Sequence, residues 1–184
     1  MWVKKEFNFF LESLYMACKN MRDRHYFQLP VAGKEDPIFR ERVYCYELYH
    51  QLRKILGDNY RYKLDGEVDK NGHPIIRLEL GAKKPDFIVH KPGTMIDNLV
   101  VIEVKPVNAD IGRIKEDMET LKGFIEKADY HYGILLIYGD GKKKLPKRIV
   151  KEYHDFLEKY EIVRNRVYLI WHGGPGKRPK IIHK

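Results

Sequence analysis

The run Leu99-Val100-Val101-Ile102-Glu103-Val104-Lys105 constrains this chain more than any other stretch. Its β-branched residues favour a strand. Side chains on a strand alternate, so Val100, Ile102 and Val104 face one way. Val101, Glu103 and Lys105 face the other. Apolar residues on both faces place the strand inside a sheet that is covered on both sides. A layered α/β architecture follows, rather than a helical bundle or an exposed hairpin. Glu103 and Lys105 then sit where water reaches poorly. Two charges there are costly unless they pair with each other or bind something.

A second stretch, Lys84-Pro85-Asp86-Phe87-Ile88-Val89, supplies another carboxylate. Asp86 opens a short apolar run behind a proline. Two adjacent strands would thus deliver two acidic residues and one lysine to one place. A metal ion between Asp86 and Glu103 satisfies both carboxylates, with Lys105 beside them. Oxygen ligands of this kind suit Mg²⁺, with Mn²⁺ as a substitute, better than Zn²⁺. The plainer alternative is an internal salt bridge at a strand end.

Hydrophobic periodicity supplies the frame around these strands. Phe7, Phe10, Leu11, Leu14 and Cys18 predict a helix from about Glu6 to Met21. A loop over 22–37 mixes Arg22, Arg24, His25 and Tyr26, as a surface for phosphate and base or as plain solvated side chains. A second helix runs from about Pro37 to Leu56, with Gly57 as its cap. Glu47 borders its apolar stripe, and Glu41 is a neighbouring rival for any role there.

Next comes a meander: Arg61 to Val68, a turn at Asp69-Lys70-Asn71-Gly72, Pro74 to Leu80, Asp86 to His90, and Leu99 to Lys105. Glu79 is either a third carboxylate or an ion-pair partner of Arg77. His73 and His90 fit no recognised metal-ligand spacing. Asp110 caps a third helix with the stripe Ile111, Ile114, Met118, Leu121 and Ile125. That helix is the crossover needed to reach a parallel strand, Tyr132 to Tyr138. Lys142, Lys143, Lys144, Lys147, Arg148 and Lys151 form the densest basic cluster, just before a fourth helix. A final strand, Arg166 to Trp171, precedes a Gly/Pro-rich basic tail expected to order only on binding.

Pro85-Asp86, a spacer and Glu103-Val104-Lys105 resemble the motif of the PD-(D/E)XK nuclease superfamily, which includes restriction endonucleases, Holliday-junction resolvases and RecB-type nucleases. The resemblance covers roughly residues 40–138. It implies a restriction endonuclease-like αβββαβ core in a mixed sheet. On that frame residues 1–36 are an N-terminal helix and loop appendage, 37–171 the core with a helix-strand addition, and 172–184 the basic tail. All would form a single domain. The resemblance implies hydrolysis of DNA phosphodiester bonds. Asp86, Glu103 and the Val104 carbonyl would hold the metal, with Glu47 on the first core helix joining directly or through water. Lys105 would orient or deprotonate the attacking water and stabilise the phosphate. A depressed lysine pKa would be needed for the base role. Lys83, Lys84, Lys115, Lys142, Lys143, Lys144, Lys147 and Arg148 are candidate DNA contacts. A homodimer would suit cutting of two strands. A non-catalytic nucleic-acid-binding or assembly module on the same fold is the alternative.

Charge agrees with an anionic partner: 35 basic against 26 acidic residues give a net +9. Cys18 and Cys45 fall in apolar helical patterns, which predicts buried free thiols. No stretch is apolar for long enough to span a bilayer, so the expectation is a cytoplasmic protein with no membrane partner. No Walker loop, Rossmann glycine fingerprint, nucleophile elbow or zinc cluster points to another chemistry.

Overall fold

A computed structural model describes residues 2–66, 83–94 and 96–182. Within them lie four helices and six strands: α1 (Trp2–Asn20), α2 (Glu41–Leu56), β1 (Lys63–Gly66), β2 (Phe87–His90), β3 (Asn98–Pro106), α3 (Ile111–Lys127), β4 (Tyr130–Tyr138), α4 (Lys147–Lys159), β5 (Val167–His172) and β6 (Lys180–Ile182). The expected strand Pro74–Leu80 lies outside the described residues, as do the turn at 69–72, His73, Arg77 and Glu79.

The strands form one mixed sheet in the order β1-β2-β3-β4-β5-β6. β1, β2 and β3 pair antiparallel, β3, β4 and β5 pair parallel, and β6 returns antiparallel to β5. The 17-residue α3 makes the β3–β4 crossover that a parallel pair requires. Asp110 caps it, accepting a hydrogen bond from Gly112 N–H at 2.7 Å. Gly57, at φ +67°, ends α2 by donating to Arg53 C=O at 3.0 Å.

β3 is buried on both faces, as its sequence requires. Val100, Ile102 and Val104 pack beneath α1 and α2 with Phe10, Leu14, Tyr44 and Leu48. Val101 lies on the other side with Ile114, Met118 and Leu121 of α3 and Tyr153 of α4. The alternation therefore assigns Glu103 and Lys105 to the α3 side of the sheet. Cys18 and Cys45 are buried free thiols.

The tail departs from expectation. It is packed against the sheet end and continues into β6. Gly176 N–H donates to Met21 C=O at 2.8 Å, and Arg178 bonds both Glu12 carboxylate oxygens at 2.7 and 3.0 Å. The physical reason is the free edge of β5, whose backbone groups need partners. The Gly173-Gly174-Pro175-Gly176 reversal lets the chain return to them.

His172, at the end of β5, is fully buried. Burial lowers its pKa to about 4, so the ring is neutral at neutral pH. Its Nδ1 is bonded to the Tyr44 hydroxyl at 2.7 Å, and the Tyr44 ring stacks on Tyr138 with centroids 4.0 Å apart. Tyr44→Phe keeps the stack but strips His172 of that partner. Urea unfolding is expected to show a loss of about 1–3 kcal/mol. An unchanged midpoint would mean that the bond contributes nothing.

Candidate active site

The parallel strands β3, β4 and β5 end together at Lys105–Pro106, Tyr138 and His172. In open α/β sheets the carboxyl ends of parallel strands are where loops can surround a ligand. The register Phe87↔Ile102 makes the next residues outward Asp86 and Glu103. Antiparallel pairing thus sets the two sequence-predicted carboxylates side by side. Asp86 Oδ2 accepts Val104 N–H at 2.7 Å, which fixes its carboxylate across the strand gap.

Lys105 completes the group and brings in two further acids. Its Nζ donates to its neighbour Val104 C=O at 3.1 Å. It pairs with Glu41 Oε2 at 3.2 Å and with Asp117 Oδ2 at 3.3 Å. Glu41 comes from the first turn of α2 and Asp117 from the middle of α3. One lysine therefore joins both layers of helices across the end of the sheet.

Four carboxylates around one ammonium leave an excess of negative charge in a dry place. Glu103 is only 6% exposed. Burial pushes it well above the usual carboxylate range, and Asp86 and Asp117 push it further. Burial raises Asp86 to about 6, against the opposing pull of Lys105. The two neighbouring carboxyls are therefore both held toward their protonated forms. Burial likewise raises Asp117 to about 7. For Lys105, burial acts downward, but Asp117, Asp86, Glu41 and Glu103 outweigh it and hold the pKa above its ordinary value.

That last result bears on the base role expected of Lys105 in the absence of a metal. Lys105 is a protonated donor here, because four carboxylates favour its charged form. The depressed pKa that a general base needs is not found in this arrangement.

Glu47 is engaged along its own helix. Its Oε1 accepts from Gln51 Nε2 at 2.6 Å, and Glu41 is the α2 acid that reaches Lys105. Helix geometry gives the reason. Glu41 lies four and seven residues before the buried Cys45 and Leu48, in line with the inner face. Glu47 is turned from Leu48 by about 100°. Sequence reasoning missed Asp117 altogether, although it stands three residues after Ile114 and four before Leu121, within the apolar stripe of α3.

The donor set fits a hard divalent cation. Asp86, Glu103 and the Val104 carbonyl offer oxygens only. Burial raises the proton affinity of both carboxyls, so further positive charge between them would be stabilised. Among the described residues no three His, Cys, Asp or Glu side chains are arranged to hold a metal. Such an ion would take its remaining ligands from the main chain and water.

The candidate nucleic-acid contacts divide. Lys83 donates to Thr120 Oγ1 at 3.0 Å, one turn beyond Asp117 on α3. Lys84 stands two residues before Asp86 and is exposed. Lys115 pairs with Glu152 at 3.2 Å and ties α3 to α4. Lys142, Lys143, Lys144, Lys147 and Arg148 are all exposed between β4 and the first turn of α4. Arg148 donates to Ala109 C=O at 3.3 Å, which brings the head of α4 to the loop after β3. His90 pairs with Asp65 at 2.7 Å and takes no part in the cluster.

No helix of the described residues is long and apolar enough to cross a membrane. No protein-family model, curated protein or solved structure matches the chain.

Proposed function

We propose that this protein is a divalent-metal-dependent nuclease that hydrolyses DNA phosphodiester bonds. The observation that carries the reading is the meeting of Asp86, Glu103 and Lys105 at the carboxyl ends of the parallel strands. The order of elements adds support. From α2 to β4 the described residues run helix, three antiparallel strands, helix, parallel strand, as in the restriction endonuclease-like core of the resembled superfamily.

In this reading Asp86 and Glu103, with the Val104 carbonyl, hold Mg²⁺ or Mn²⁺. The bound ion supplies a Lewis acid and lowers the pKa of a water ligand. Asp86 is kept in place by Val104 N–H. Lys105 keeps its proton and presents positive charge to the phosphate oxygens. Glu41 and Asp117 aim the lysine by holding it from two sides.

A second reading, a non-catalytic nucleic-acid-binding module, draws on one observation. Lys105 is already engaged within the protein, by a hydrogen bond to Val104 C=O and by ion pairs with Glu41 and Asp117. The lysine must give up one of them to touch a phosphate.

Cleavage assays on supercoiled, linear, single-stranded and four-way-junction DNA separate the two. Cutting is expected with Mg²⁺ or Mn²⁺ and not with EDTA. Asp86→Asn and Lys105→Ala are expected to lower it at least about a hundredfold. Binding without cutting on every substrate would favour the second reading.

A further inference from the structure

The loops at the sheet end enclose two adjoining clefts. The first, about 370 Å³, contains Lys105, Glu41, Ala109 and Arg113. The second, about 480 Å³, contains Arg24, Gln28, Lys142 and Lys143. Phe39 and Asn108 line both, so the two form one groove with Phe39 as the shared wall.

Of the four acids that line the groove, Asp36 is exposed at its outer side and the other three are engaged within the protein. Asp140 Oδ1 accepts Lys142 N–H and Lys143 N–H at 3.0 and 3.2 Å, and its Oδ2 lies 3.7 Å from Arg24. Asp110 caps α3 and Glu41 holds Lys105. Those backbone bonds fold the loop so that both lysine side chains are exposed. The loop is held from behind as well, where Gly141 N–H donates to Gly173 C=O at 2.9 Å. Gly174, at φ +148°, lies so close that a Cβ there would stand 2.5 Å from Gly141 N. The ordered tail thus fixes the basic loop at the mouth of the groove.

Phe39 is a half-buried ring braced against Tyr138 at 5.8 Å. The Lys143 ammonium stands over it, 5.4 Å from the ring centroid. An aromatic wall flanked by Arg24, Lys142 and Lys143 is the equipment for one strand of nucleic acid. Cations track its phosphates and a ring face takes a base, whatever the base.

We propose that a single strand of nucleic acid lies in this groove, running from Lys105 past Phe39 to the basic loop, with Arg24, Lys142 and Lys143 on its phosphates and a base on Phe39. On binding, Lys143 exchanges the ring for a phosphate, and the base takes the face it leaves. The proposal rests on the nuclease reading for its class of ligand, and on the groove alone for its path and its single strand.

The test is fluorescence anisotropy with a short labelled oligothymidylate and a blunt duplex of the same length, using the full chain in EDTA. The oligothymidylate is expected to bind more tightly. Arg24→Ala and Lys143→Ala should each make the slope of log K against log salt shallower by about 0.7. Phe39→Leu should weaken binding about tenfold with the slope unchanged, and Phe39→Trp should restore it. Lys54→Ala, in the last turn of α2 at the opposite end of that helix from Glu41, should change neither. Tighter binding of the duplex overturns the proposal. So do unchanged slopes in both basic variants, or a Phe39→Leu protein that is folded by circular dichroism and binds at full strength. This assay needs no cleavage. The predicted binding pattern without cutting under any condition sinks the nuclease reading and leaves the groove. Metal-dependent cutting with unchanged slopes does the reverse.

Discussion

Lys105→Met is expected to abolish cleavage and also to destabilise the fold, far more at pH 8 than at pH 5. The lysine is the common counter-ion of Asp117, Asp86, Glu41 and Glu103. Removing one partner of a buried ion pair typically costs about 3–5 kcal/mol, because the other charge stays behind unpaired. That is a large part of a total stability of about 5–15 kcal/mol. Lys105 is itself 12% exposed at the side chain, so water offsets some of the loss. At pH 5 the carboxylates take up protons instead of standing charged, and the cost shrinks. Urea unfolding at the two pH values checks this, with cleavage measured on the same preparations. Lys105→Arg should recover much of the stability and little of the activity, since a planar guanidinium cannot reproduce a compact ammonium between Glu41 and Asp117. Equal midpoints for Lys105→Met and the natural sequence at pH 8 would show that the cluster is hydrated and needs no counter-ion.

The sequence made the centre of this site legible through a conflict. A β-branched run that must be buried on both faces ends in Glu103 and Lys105, which resist burial. Position on a strand then dictated that they share a face, and the structure agrees. The helical contributors were harder to see for a specific reason. A stripe is recognised by its apolar members, so a charged residue in register with it is passed over as a surface position. Glu41 lies in register with Cys45 and Leu48, and Asp117 with Ile114 and Leu121. Continuing each stripe through its charged positions would have found both. It would also have set aside Glu47, which borders the stripe without joining it. β6 gave no such signal. Lys180–Ile182 is too short for periodicity, and what makes it a strand is the unpaired edge of β5, a non-local partner. The groove was visible only as two separate hints, the basic and aromatic residues of 22–37 and the lysines after β4. Nothing local to either segment says that they meet at Phe39 and Asn108.

Glu103→Gln is expected to do the opposite of Lys105→Met, stabilising the fold while abolishing cleavage. The amide has nearly the same shape as the carboxyl and has N–H groups to offer the neighbouring Asp86, but it carries no charge to bury. The sign follows from linkage. Asp86 is raised from 3.8 to about 6 and Asp117 from 3.8 to about 7. A carboxyl whose folded pKa lies above its unfolded value contributes stability that is fully present below the unfolded pKa. That stability is lost as pH rises through the folded pKa. Glu103 is shifted in the same direction. In EDTA the natural sequence should therefore lose stability between about pH 4 and pH 7 from this cluster. His172 works against that trend. Its folded pKa is depressed to about 4, so its contribution is present above 6.5 and lost as pH falls toward 4. Since His172 is the same in both proteins, subtracting one pH profile from the other isolates the carboxylates. At pH 8 Glu103→Gln should be the more stable by about 1–3 kcal/mol, and its profile should be flatter. Added Mg²⁺ should then raise the midpoint of the natural sequence, by binding the folded state, and leave Glu103→Gln nearly unmoved. A Gln variant that is less stable at pH 8 would mean that Glu103 is held charged by a favourable partner. A Mg²⁺ response equal in both proteins would take Glu103 out of the metal site. Together the two substitutions ask whether this cluster is built for stability or kept against it, and four carboxyl groups around one ammonium argue for the latter.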